Sequence, residues 1–243
     1  MSNSGNNFQI TGSNDVSISG VHQTVTTDGA EPEPERESIV KVLFLGANPS
    51  GTEQLRLDRE VKAIADVLKM AKAASFQLEQ GWAVTVHDVQ DGLLRHQPDI
   101  VHLSGHGRSD GLLVLELDSA SPREPASQSY LLSLGNLFAA ARGRIRCVVL
   151  NACHSAEAAR VIAEHVDCVI GMTDAIEDET AIQFSRGFYH AVGQGQSIRT
   201  AFELGVAQIG LSGASGAEVP KILGARSAAE SISFARPKVG TPV

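Results

Sequence analysis

Apolar runs of strand length alternate with stretches of helical period along this chain, and that alternation restricts it to an α/β fold. Residues 39–46, Ile-Val-Lys-Val-Leu-Phe-Leu-Gly, form the first run, and 82–89, 99–104, 145–150 and 167–170 follow. Runs of this kind belong in a parallel sheet covered by helices on both faces, because a strand with one wet face would alternate apolar with polar residues. Between the runs, Glu53–Ala74 carries Leu57, Val61, Ile64, Leu68 and Ala71 at helical spacing before Gly81 breaks the pattern. Two further helices are predicted at Glu177–Val192 and Ser197–Ile209, separated by Gly193-Gln194-Gly195. The last thirty residues, 214–243, are expected to be weakly structured.

Two of the runs end on reactive side chains. Val101-His102-Leu103-Ser104-Gly105-His106-Gly107 and Val148-Val149-Leu150-Asn151-Ala152-Cys153-His154-Ser155 each pass from apolar residues to small, turn-prone ones, where an α/β sheet forms its sites. A thiol with a pKa of about 8.5 is mostly protonated at neutral pH, and an imidazole can take its proton. His106 is therefore the expected base and Cys153 the expected nucleophile. Gly105 and Gly107 let the backbone approach a substrate, which makes the N–H groups of Gly107 and Cys153 the oxyanion-hole candidates. Ala152 and Ser155 suit a tight turn into a helix whose N-terminal dipole favours a thiolate. Either residue alone reads more simply as a buried cysteine or a satisfied histidine; the pair at two strand ends is the specific signal.

These segments resemble the caspase-like clan of cysteine proteases and, within it, the CHAT proteases of bacteria, relatives of separase. The resemblance covers about residues 39–210: the strand Val40–Pro49, His-x-x-Gly-His-Gly at 102–107, Leu-Asn-Ala-Cys-His-Ser at 150–155, Gly171-Met172, and Ala181-x-x-Phe184-x-x-x-Phe188-Tyr189. It implies the caspase-hemoglobinase fold, an α/β three-layer sandwich with a mostly parallel central sheet. It also implies that the second histidine, His106, is catalytic while His102 points inward. Metacaspases carry aspartate and caspases glutamine two positions before the nucleophile, where this chain has Asn151, so neither substrate preference transfers. Asn151 joins Glu177 and Asp178 as a substrate-binding candidate. The acidic turn Asp174–Thr180 follows the fifth predicted strand, where a carboxylate would favour arginine or lysine at the cleaved bond. Acidic residues equally suit the start of the next helix. Asp178 is preferred because CHAT-like and separase-like chains often carry an acid here.

Composition narrows the class. A chain of 243 residues, 42% hydrophobic, can bury one sizeable core. Cys147, Cys153 and Cys168 are an odd set without framework spacing, so a reducing compartment is expected, with Cys147 and Cys168 in the core. A net charge of −8 without a basic stripe speaks against nucleic acid as partner. No apolar run nears the roughly 18 residues of a membrane span, and the polar start lacks a signal peptide's apolar region, so a cytoplasmic protein without membrane association is expected. The chemistry requires no metal and no cofactor. Leu117–Tyr130 is polar and proline-containing and reads as an exposed loop; it is a gating element, a processing site at Arg123, or, more simply, a surface insertion.

Three parts are expected: 1–30, 31–38 and 39–243. Asn7-Phe8-Gln9-Ile10-Thr11-Gly12 and Asp15-Val16-Ser17-Ile18-Ser19-Gly20 form a short repeat of alternating apolar and polar residues, followed by the charged, proline-bearing spacer Glu31–Glu37. The repeat resembles the amyloid-like signalling motifs of bacterial immune effectors, which implies an upstream sensor with a similar motif and activation by proximity. Low hydrophobicity alone would equally give a disordered tail. The expected role is an effector protease in antiviral defence or regulated cell death, acting on a protein such as a gasdermin-like pore former or a toxin precursor. The alternatives are a catalytically silent adaptor on the same fold and an unrelated α/β enzyme. No phosphate-binding glycine motif supports the last.

Overall fold

The computed structural model describes residues 39–117, 127–141 and 143–235. Its elements, in order, are β1 (Ile39–Gly46), α1 (Leu57–Leu68), β2 (Ser75–Trp82), α2 (Val86–His96), β3 (Ile100–Ser104), β4 (His106–Gly107) and β5 (Leu113–Val114). There follow α3 (Ser127–Ala141), β6 (Cys147–Asn151), α4 (Ala156–Ile162), β7 (Cys168–Met172), α5 (Asp178–Gly193), α6 (Ile198–Leu211), β8 (Pro220–Gly224) and α7 (Arg226–Ser231). Among the described residues a six-stranded sheet runs β2-β1-β3-β6-β7-β8. All its pairings are parallel except the last, in which β8 runs against β7.

Both faces of the central strands are apolar, and each packs its own layer of helices. Val42 and Phe44 of β1, Val149 of β6 and Ile170 of β7 share a core with Ile64 of α1, Phe184 and Phe188 of α5 and Ile209 of α6. Leu43, Leu45, Val101, Val148 and Leu150 face the other way, onto Val89 of α2, Phe138 of α3 and Ile162 of α4. This is an α/β three-layer sandwich with a mostly parallel central sheet, as the apolar runs predict. The described residues all lie in a unit spanning Glu37–Val243.

Four expectations change. The second strand is not 82–89 but β2, Ser75–Trp82, and the stretch beyond it opens a helix. Thr85 accepts the Asp88 N–H at 3.2 Å and the Asp88 carboxylate accepts the Thr85 N–H at 2.9 Å, a reciprocal cap that starts α2 despite the β-branched Val84, Val86 and Val89. Gly81 does not end a pattern; it lies inside β2, where a Cβ would stand 2.8 Å from Leu45 Cδ2. The helix predicted from Glu53 begins only at Leu57 and ends at Leu68, and the N–H groups of Lys72 and Ala73 then donate to the Gly193 carbonyl at 3.0 and 3.2 Å. Residues 214–235 are not weakly structured: they form β8, which extends the sheet, and α7, after which the Ile232 carbonyl accepts the Ile198 N–H at 2.9 Å. The repeat and spacer at 1–38 and the loop positions 118–126, Arg123 included, lie outside the described residues.

Candidate active site

The two motif strands are neighbours, and their register sets the site. β3 and β6 run parallel with Ser104 opposite Asn151, and the Gly105 N–H donates to the Asn151 carbonyl at 3.4 Å. His106 and Cys153 therefore stand the same two residues beyond paired strand ends. A Cβ on Gly105 would lie 2.6 Å from the Ala47 carbonyl oxygen, so the chain leaves β3 pressed against the end of β1. His106 and Gly107 then form β4, antiparallel to β5. A Cβ on Gly107 would overlap the Cys153 carbonyl oxygen and stand 3.2 Å from the Cys153 nitrogen. Backbone meets backbone there, and only glycine permits the approach.

On the other side, Ala152 is buried, Cys153 half-buried, and His154 adopts a left-handed φ of 54° before α4 begins. The buried Ser155 locks the turn: its hydroxyl donates to the Leu150 carbonyl at 2.9 Å and accepts the Met172 N–H at 3.0 Å. The Cys153 sulfur accepts the Ile176 N–H at 3.4 Å and lies 3.8 Å from the Ile176 carbonyl. Cys147 and Cys168 are free but buried, and burial pushes the first thiol well up and the second to about 11, so neither thiol is suited to act as a nucleophile.

His106 Nε2 lies 2.8 Å from the Glu53 carbonyl oxygen. A carbonyl only accepts, so Nε2 carries a proton, and in the neutral ring this leaves the lone pair on Nδ1. The orienting group is backbone from the segment ahead of α1, which no side-chain pattern reveals.

The expected substrate residues divide. Asn151 is 3% exposed and is corrected to an interior position. Its amide donates to Glu60, to the Ala181 carbonyl at 3.1 Å and to Ser185 Oγ at 3.1 Å, because a strand-end residue on the α1–α5 face points into that layer. Asp178 opens α5, and its carboxylate accepts the Arg56 side-chain Nε–H at 2.6 Å and the Arg56 main-chain N–H at 3.2 Å. Arg56 Nη2 also reaches Glu179 at 3.2 Å. Glu177 is exposed and makes no capping hydrogen bond at the start of α5.

The sequence reading also missed a buried polar group. Glu60 follows Leu57 and precedes Val61 and Ile64 on the apolar stripe of α1, where a carboxylate is out of pattern, and it is 2% exposed. Its carboxylate accepts from His102, Ser104, Asn151 and Ser185. His102 does point inward, as the resemblance implies. Burial alone would raise the Glu60 pKa, but the charge and hydrogen bond of His102 and the hydroxyls of Ser104 and Ser185 outweigh it and hold the carboxylate below its ordinary range. Among the described residues there is no group of three or more His, Cys, Asp or Glu side chains set to hold a metal, and no helix long and apolar enough to cross a membrane.

The chain is 27% identical over 176 residues to a Roc-COR-CHAT protease of an unknown prokaryotic organism, covering 68% of this chain and 16% of that protein. It is 26% identical over 154 residues to a probable protease of Gillisia limnaea, covering 63% of this chain and 27% of that protein. The chain thus spans under a third of the length of either relative. Among solved structures it is similar to Caspase-1 from Spodoptera frugiperda, with a TM-score of 0.48 at 11% identity, covering 77% of this chain and 86% of that one. It is similar also to pro-sf-caspase-1, with a TM-score of 0.49 at 13% identity, covering 81% and 96%. Residues 13–216 match the CHAT domain, and the chain belongs to the CHAT domain family.

Proposed function

We propose that this chain is a cysteine endopeptidase working through a His106–Cys153 dyad. The observation that carries the reading is the matched register of β3 and β6, which releases both residues at one level of the sheet with Gly107 against the Cys153 backbone. His106, with Nε2–H held by the Glu53 carbonyl, accepts the Cys153 proton at Nδ1. The thiolate attacks the scissile carbonyl, and the N–H groups of Gly107 and Cys153 bind the oxyanion. Protonated His106 then gives its proton to the departing amine, and water resolves the thioester. That both sequence relatives are described as proteases agrees with this chemistry.

Asp178 is the proposed contact for a basic substrate side chain, with the exposed Glu177 beside it. Since Arg56 already holds the Asp178 carboxylate, a substrate arginine or lysine has to displace it. The proposed setting is cytoplasmic, in bacterial antiviral defence or regulated cell death, with a gasdermin-like or toxin precursor as protein substrate. An upstream sensor would engage residues 1–30.

Fluorogenic peptides with Arg, Lys, Asp or Leu at the scissile position test the reading. Cleavage by the wild type should fall about 10³-fold or more in Cys153→Ala and in His106→Ala. Undiminished cleavage by pure Cys153→Ala would refute it, and silence of the wild type, with partner added, would favour an adaptor.

A further inference from the structure

The proposed chemistry leaves the cluster around Glu60 unused. Its carboxylate, carried by α1, accepts from His102 Nε2 at 3.0 Å and Ser185 Oγ at 2.7 Å, and from Ser104 Oγ and Asn151 Nδ2. His102 Nδ1 in turn meets the Tyr189 hydroxyl at 3.2 Å. The members come from both motif strands and both helices above them: His102 and Ser104 from β3, Asn151 from β6, Ser185 and Tyr189 from α5. A buried carboxylate is costly, and a leucine would fill the stripe of α1 without that cost. What packing alone cannot supply is a directional hold on particular strand positions.

The positions held are informative. Ser104 and Asn151 face each other across β3 and β6, and each lies two residues before a member of the dyad. One carboxylate therefore grips both strands at their last paired residues. The Asn151 side chain makes its contacts through the amide nitrogen, since among the described residues its Oδ1 has no partner, so donation toward Glu60, Ala181 and Ser185 is what fixes its orientation.

We infer that Glu60 is a positioning residue, its carboxylate fixing the level and spacing at which β3 and β6 release His106 and Cys153. The inference rests on the dyad reading above. Glu60→Gln keeps the shape but turns an NH2 toward groups that are themselves donors, so the hold on at least one strand is lost.

The test is alkylation of Cys153 by iodoacetamide in the full chain, followed by mass spectrometry across about pH 5 to 10, with Cys153→Ala as background. Rate against pH reports the thiolate and its coupling to His106 without any peptide substrate, and a merely structural role would not move the midpoint. In folded Glu60→Gln the rate at pH 7 is expected to fall about tenfold and the midpoint to shift, as it should in His106→Ala. On any peptide the wild type cleaves, kcat should fall while KM stays within about twofold. If Glu60→Gln does not fold, Ser104→Ala decides, with an expected loss of about threefold, since it removes one bond and leaves the charge.

A folded variant with a wild-type midpoint and rate would overturn the inference. The two readings separate through His106→Ala. A shifted midpoint there with none in Glu60→Gln sinks the positioning role alone, whereas an unshifted midpoint in His106→Ala takes the dyad and the positioning role down together.

Discussion

Position 107 tolerates hydrogen and nothing larger, because a Cβ would overlap the Cys153 carbonyl, a backbone atom that cannot rotate away. Gly107→Ala must push β4 off the Cys153 turn, and overpacking of this kind costs about 1–3 kcal/mol. Cys153 alkylation at neutral pH and any peptide cleavage should drop at least about tenfold, while Gly143→Ala, with nothing within 4 Å of its Cβ, should match the wild type in both. Equal loss in the two would mean that general destabilisation, not the approach of β4, is being measured. At this scale the sequence marks candidates where residue type is restricted. His106, Cys153 and Gly107 stand in short motifs, and glycine beside a reactive group has few explanations. Asn151 was misassigned because position in a motif says nothing of which face a strand-end side chain takes. The Glu53 carbonyl was invisible because every residue has one. Glu60 was visible only as a misfit, a carboxylate where Leu57, Val61 and Ile64 require an apolar neighbour.

Elements buried on both faces were the easiest to read. β1, β3, β6 and β7 follow their apolar runs closely, since nothing but a central strand explains such composition. Among the described residues β2 and β8 lie at the two sheet edges, where one side lacks a partner strand and polar residues such as Gln77, Glu79 and Lys221 interrupt the pattern. The start of α2 was hidden by its valines. Its reciprocal cap makes Thr85→Ala a test of why the helix begins there: the unfolding free energy should fall about 1 kcal/mol in urea titration, with Cys153 alkylation unchanged. No loss of stability would mean that packing of Val89 and Leu93 sets the start. At the opening of α5 the two readings of the acidic turn meet in one residue. Asp178 is both the first helical residue and the partner of Arg56. If Asp178 recognises a basic substrate, Arg56 competes with it, so Arg56→Gln should raise kcat/KM for arginine peptides a few-fold and Asp178→Asn should lower it. Unchanged kcat/KM in both variants would leave Asp178 a structural link between α5 and the start of α1.

For the whole molecule, the sheet does two things with one geometry: its parallel strands end at a common level, and its α1–α5 layer encloses the charge that ties two of those ends together. Glu60 thus couples the site to global stability, and the sign of the pH dependence follows from its pKa. The carboxylate sits lower in the folded chain than its ordinary 4.5, so folding is favoured by the ionised form. That stabilisation is complete above pH 4.5 and is lost as pH falls through the lower folded value. Glu60→Gln lacks an ionisable group at this position and cannot show the loss. At pH 7 the variant should be less stable by about 3 kcal/mol, the scale for breaking a buried charged pair. In acid the wild type approaches it, because a protonated Glu60 is nearly the amide's equal. Urea unfolding of both proteins from neutral pH into the acid range should therefore give curves that converge below pH 4.5. Curves that stay parallel throughout would mean that Glu60 is held by shape rather than charge, and the carboxylate would then have no part in tying β3 to β6.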